Sequence, residues 1–131
     1  MARQALRPPN LSFLPKREYP YSPGAAGGGF VYTSGQVAWD ENGDLVGIGD
    51  PAAQTRQVLT NVESVLRDGG ATLHDVLKCT VYLADIRYFQ AMNDVFATFF
   101  PARPPARTTV QAPLAEPEML VEIEAVAWIG G

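Results

Sequence analysis

Hydrophobic and polar positions follow two periods along this chain, and the switches between them mark its elements. From Asp50 to Gly70, Val58, Leu59, Val62, Val65 and Leu66 recur at helical spacing, while Arg56, Gln57, Glu63 and Arg67 fall mostly elsewhere. Asp50 is placed to cap, Pro51 suits the first helical position, and Gly69-Gly70 supplies the stop, so a helix is expected over 51–68. The period then drops to two in "DVLKCTVYLA", with Leu77, Cys79, Val81 and Leu83 on one side and Lys78, Thr80 and Tyr82 on the other. A second helix, "IRYFQAMNDVFATFF", begins after Asp85, carries an aromatic and aliphatic stripe of Ile86, Phe89, Phe96 and Phe100, and ends at Pro101. "ARTTVQA" reads as a buried strand. "MLVEIEAVAWI" reads as a strand with Val121, Ile123, Ala125 and Ala127 opposite Glu122, Glu124, Val126 and Trp128.

Ahead of the first helix, "YPYSPGAAGGGFVYTSGQVAW" has β-rich ends around glycines, the pattern of a hairpin turning at Gly27 to Gly29. Asn42-Gly43 marks a further turn. Residues 1–18 are polar, proline-containing and aperiodic, and predict a surface arm, with a single domain over 19–131. The expected order is β-β-α-β-α-β-β, an α+β arrangement with two helices on one face of a mixed sheet. The other face would stay wet and apolar in a monomer, which points to an oligomer.

Composition adds little to the fold but narrows the function. At 47% hydrophobic and 18% charged, the chain has fewer charges than an average globular protein, again in favour of a covered surface. A formal net charge of -4 with no cluster of Lys or Arg argues against nucleic acid. The single cysteine, Cys79, excludes an internal disulfide and suits a reducing compartment. With no secretory h-region and no apolar run long enough to span a bilayer, a cytoplasmic location is expected.

Most catalytic patterns fail on residue type. One histidine, His74, and one cysteine do not make a zinc site, the surroundings of Ser34 lack the G-x-S-x-G elbow, and "GAAGGG" lacks the spacing of a phosphate loop. No metal site is expected. The stretch "PARPPARTTVQAP" is more informative, because it sets Arg107 at the mouth of a strand read as buried. A buried guanidinium costs several kcal/mol unless a carboxylate meets it with good geometry. Two readings stand: an internal salt bridge to Glu122 or Glu124, or a wait for the carboxylate of a small substrate, with Glu122 positioning a water or moving a proton.

Taken together, "PYS", "FVYTSGQ", "QTRQVLTNVESVL", "VLKCTVYLADIRYFQAMNDVFATFF", "PPARTTV" and "VEIEAVA" resemble the RidA/YjgF family of reactive-imine deaminases, also labelled L-PSP endoribonuclease-like proteins. The match runs from Tyr19 to Trp128. It implies a chorismate-mutase-like fold and a homotrimer with a barrel-like core and clefts between subunits. It also implies that Arg107 holds a substrate carboxylate, that Glu122 orients the attacking water, and that Tyr21, Ser34, Gly35, Asn93 and the backbone at Thr109 line or support the same cleft. The implied reaction converts an enamine or imine such as 2-aminoacrylate to a 2-keto acid and ammonia, without a cofactor. A non-catalytic small-carboxylate binder and a ribonuclease are the alternatives. Several departures surround the cleft: Thr109 stands where many members have cysteine, "APLAEPEML" replaces a more basic loop, and Pro23-Gly24 follows Tyr21. They leave room for a substrate larger than, or different from, 2-aminoacrylate.

Overall fold

The computed structural model describes residues 3–12 and 20–130. Its core is one six-stranded sheet: β1 (Gln4–Leu6), β2 (Gly24–Gly27), β3 (Phe30–Thr33), β4 (Val76–Leu83), β5 (Ala106–Gln111) and β6 (Val121–Trp128). The spatial order is β1-β2-β3-β6-β4-β5, with β4 and β5 parallel and every other pair antiparallel. Two helices, α1 (Pro51–Asp68) and α2 (Phe89–Phe99), cover one face, as the sequence pattern predicts. Among the described residues no helix is long and apolar enough to cross a membrane.

Local chemistry explains the elements that were legible. Asp50 accepts a hydrogen bond from the Ala53 amide at 3.1 Å and so caps α1, whose stripe Val58, Leu59, Val62, Val65 and Leu66 is fully buried. The hairpin between β2 and β3 turns on Gly28 and Gly29, with φ of 61° and 86°, the left-handed pair that a two-residue hairpin loop demands. Strand β6 alternates as read, Val121, Ile123, Ala125 and Ala127 meeting the helices.

Four expectations are corrected. Part of the segment read as a surface arm belongs to the fold: β1 extends the sheet at its edge, and Leu6 and Leu11 are fully buried in the hydrophobic core. This places an extra strand ahead of the expected order; the domain start at Tyr19 lies outside the described residues. In β4 the alternation slips, because a register irregularity between Val76 and Lys78 spends an extra residue, so Val76 and Cys79 are buried and Leu77 is exposed. Asp85 caps a 3-10 turn, Ile86–Tyr88, ahead of α2, and the change of pitch moves Ile86 and Phe89 out to the surface; Phe96 and Phe100 are buried as expected, and Met92 and Val95 join them. Finally, β5 is an edge strand with no fully buried residue.

Candidate functional site

The candidate residues divide between two cavities. Tyr21, Ser34, Gly35 and Glu122 line one of about 420 Å³. Asn93 and Arg107 line another of about 410 Å³, together with Phe96, Phe100, Pro104 and Pro105. Thr109 lies two residues beyond Arg107 on β5 and lines neither. His74 sits by the turn before β4, in a third cavity that holds none of the candidate residues and shares only Phe100 with the Arg107 cavity.

Strand register dictates this division. Arg107 pairs with buried Cys79, on the helix side of the sheet, whereas Glu122 pairs with Tyr82, on the open side. An internal salt bridge from Arg107 to Glu122 or Glu124 is therefore ruled out within one chain. Arg107 instead packs its guanidinium over the rings of Phe96 and Phe89, at 4.8 and 5.6 Å from their centroids, and its Nη1 lies 3.9 Å from Met92 Sδ. Aromatic faces position the cation while leaving N–H donors available, which a carboxylate partner would not do. Desolvation lowers the pKa of Arg107, and burial pushes the neighbouring Cys79 thiol up to about 12, so that cysteine is protonated and unreactive.

The Glu122 side is built by a local irregularity. Tyr32 pairs with Val126, yet Gln36 exchanges backbone hydrogen bonds with Ile123, so one extra residue is spent on β3's continuation at Ser34-Gly35. The Thr33 hydroxyl takes over part of the ladder by accepting from the Ala125 amide at 3.0 Å. Ser34 is stitched back to the preceding segment: its hydroxyl donates to Ser22 O at 2.6 Å and its amide to Pro23 O at 2.8 Å. The displaced backbone brings Gly35 directly against the Glu122 carboxylate, where a Cβ would overlap Oε2. Burial, and secondarily the charge of Glu124, raise the pKa of Glu122. Glu124 is itself engaged, accepting from the Tyr82 hydroxyl at 3.1 Å.

Sequence reasoning missed the walls of both cavities, notably Val37, Trp39 and Met119 beside Glu122 and the Phe96–Phe100 pair beside Arg107. It also missed the two amides that hold the first of these walls, Gln54 and Asn61. A signal for them existed, since both are polar residues on the buried face of α1.

An α+β sheet with two helices on one face, and an arginine and a glutamate set into separate recesses, defines the class. The chain belongs to the RidA/YjgF family: the family model described as Endoribonuclease L-PSP matches residues 14–129. Among solved structures, a protein of unknown function of the conserved Rid family, YyfA from Yersinia pestis, is 33% identical with a TM-score of 0.85, covering 98% of this chain and 100% of its own. The YjgF gene product from E. coli is 34% identical with a TM-score of 0.77, covering 83% and 87%. E. coli TdcF with bound serine is 32% identical with a TM-score of 0.78, covering 84% and 88%.

Proposed function

We propose that this chain hydrolyses reactive 2-imino and enamino acids to 2-keto acids and ammonia, in a cleft completed by a second copy of itself. The observation that carries this is the division of Arg107 and Glu122 between opposite faces of one sheet. Each recess holds half of what the reaction needs, and a homotrimer would set the Arg107 half of one subunit against the Glu122 half of the next. The exposed side chains of Phe30, Tyr32, Val110 and Trp128 on the open sheet face favour such an assembly. The serine bound by TdcF is a small carboxylate of the size that Arg107 could clamp.

In this reading the substrate carboxylate takes two N–H donors of Arg107, which places the C=N carbon beside Glu122. Water attacks that carbon, forming a C–O bond as the C=N π electrons move to nitrogen. Glu122 takes a proton from the water and returns it to the nitrogen, a task suited to a carboxyl whose pKa is raised. The hydroxyl proton of the tetrahedral intermediate then passes by way of Glu122 to the nitrogen, the C–N bond breaks as the C=O bond forms, and ammonia and the 2-keto acid leave. An enamine enters the same route after protonation at its β-carbon. No step calls for a cofactor. The ribonuclease reading is disfavoured by the net charge of -4 and by Glu122 and Glu124 on the open face.

The test is a coupled assay in which a pyridoxal-phosphate-dependent dehydratase releases 2-aminoacrylate from serine. Added protein should accelerate pyruvate and ammonia release, and Arg107→Ala should not. Equal rates with and without the protein, beside measurable binding of 2-oxobutyrate, would instead assign a carboxylate-binding role.

A further inference from the structure

The wall beside Glu122 is more elaborate than 2-aminoacrylate requires. Val37, Trp39 and Met119 are 6%, 8% and 3% exposed and form an apolar surface in the 420 Å³ cavity that Glu122 also lines. All three lie outside the helices and strands, on loops whose backbone polar groups must find partners. Two buried carboxamides of α1, seven residues apart and so on one face, provide them. Asn61 Nδ2 donates to Val37 O at 3.0 Å and to Trp39 O at 2.8 Å. Gln54 Nε2 donates to Glu118 O at 2.9 Å, and its Oε1 accepts from the Leu120 amide at 2.8 Å, so it grips the residues on either side of Met119. A wall fixed in this way cannot collapse onto a small ligand, and supporting hydrogen bonds of this kind pre-organise a recognition surface.

We infer that the substrate is a 2-imino acid bearing a bulky apolar side chain, of branched aliphatic or aromatic size, which lies against Val37, Trp39 and Met119. This rests on the deaminase reading above. The reacting carbon carries three groups: the nitrogen, the carboxylate and the side chain. With the carboxylate on Arg107 and the carbon at Glu122, the surface next to Glu122 falls to the side chain; Tyr21 and Ser34 give it a polar margin, and Val37, Trp39, Ala115 and Met119 give it an apolar wall. The cavity has room for on the order of ten waters, against which a terminal methylene displaces about one. An acidic side chain would meet both an apolar wall and the charges of Glu122 and Glu124. A single methylene in an apolar pocket is worth about tenfold or more in kcat/KM.

The experiment generates imines of alanine, leucine, phenylalanine and glutamate in situ with an amino-acid oxidase and measures their hydrolysis in competition with semicarbazide. The leucine- and phenylalanine-derived imines should exceed the alanine-derived one in kcat/KM by at least about tenfold, with the glutamate-derived imine lowest. Met119→Gln, and separately Trp39→Val, should shrink the leucine-to-alanine ratio. An active protein with a ratio of one or less overturns the inference while leaving the deaminase reading intact. Failure on every imine overturns the deaminase reading, and the wall is then read by calorimetry with stable 2-keto acids. In that case 4-methyl-2-oxopentanoate binding at least about tenfold tighter than pyruvate supports the apolar subsite, and equal affinities refute it.

Discussion

The carboxylate of Glu122 occupies the space in which Gly35 would carry a side chain. The glycine is therefore a requirement of the glutamate's position, and the bulge at Ser34-Gly35 exists to bring bare backbone to that spot. Gly35→Ala should turn Glu122 away from the reacting carbon. A displacement of about 1 Å can cost on the order of a hundredfold, so kcat on 2-aminoacrylate should fall by that order while the protein still folds. Wild-type kcat in a folded Gly35→Ala protein would mean that the contact does not set the position of Glu122.

Because Arg107 and Glu122 come from different faces, a shared cleft predicts complementation. Arg107→Ala and Glu122→Gln chains should each be inactive alone. Co-expressed in equal amounts they should regain about a quarter of wild-type activity, the fraction of clefts that draw both intact residues from different chains in a cyclic assembly. No recovery in verified mixed oligomers would return both residues to a single chain's cleft.

Arg107→Lys keeps the charge but loses the planar fork and much of the stacking on Phe96 and Phe89. KM should rise by about tenfold or more, the loss of one charge-assisted hydrogen bond worth about 1.5 kcal/mol or more. Steady-state kinetics on the leucine-derived imine is the check; an unchanged KM would show that the guanidinium geometry is irrelevant.

The buried carboxyl of Glu122 also has a stability signature. Its pKa is raised in the folded chain, so its contribution is fully favourable below the ordinary value of 4.5 and is lost as pH rises through the folded value. Glu122→Gln should therefore have a higher Tm than wild type at pH 7, and the gap should close at about pH 4. Thermal melts at the two pH values decide it, and a wild-type protein more stable than the variant at pH 7 would reverse the sign argued here.

Asn61 uses every hydrogen-bonding position of its amide: two donations to the loop carbonyls, and acceptances from Gln57 Nε2 at 3.0 Å and Asn10 Nδ2 at 3.4 Å. Asn61→Ala removes the amide's donations to Val37 O and Trp39 O, leaving Val37 O with the Trp39 amide as donor, and should cost roughly 1 to 3 kcal/mol. Urea denaturation should show a lower midpoint, and a loss below about 0.5 kcal/mol would mean that water replaces the amide.

The elements with local signals were legible. Asp50, Pro51 and Gly69 bracket α1 by capping chemistry, and the glycines at 28 and 29 specify their own turn. What escaped depends on pairing between distant segments. A three-residue strand such as β1 has no period to read, and the burial of Leu6 depends on distant partners, β2 and the Gly69 end of α1 among them. The parity of Leu77 was lost to one extra residue, and that of Ile86 and Phe89 to a turn of different pitch. For the same reason the candidate residues could be named while their division between two cavities could not, because the face on which Arg107 lies follows from its register with Cys79. Gln54 and Asn61 were hidden on a stripe whose apolar members drew the eye.

The short strand β1 protects more than it contributes in hydrogen bonds. It is the cover on β2, whose outer edge would otherwise offer unpaired N–H and C=O groups to any passing extended chain. Leu6 and Leu11, both fully buried, would leave apolar hollows worth about 1.5 to 3 kcal/mol each if the first twelve residues were removed. A shortened form would then carry a sticky edge and a softened core at once, so its failure would show first as insolubility during expression, before any change in chemistry could be measured.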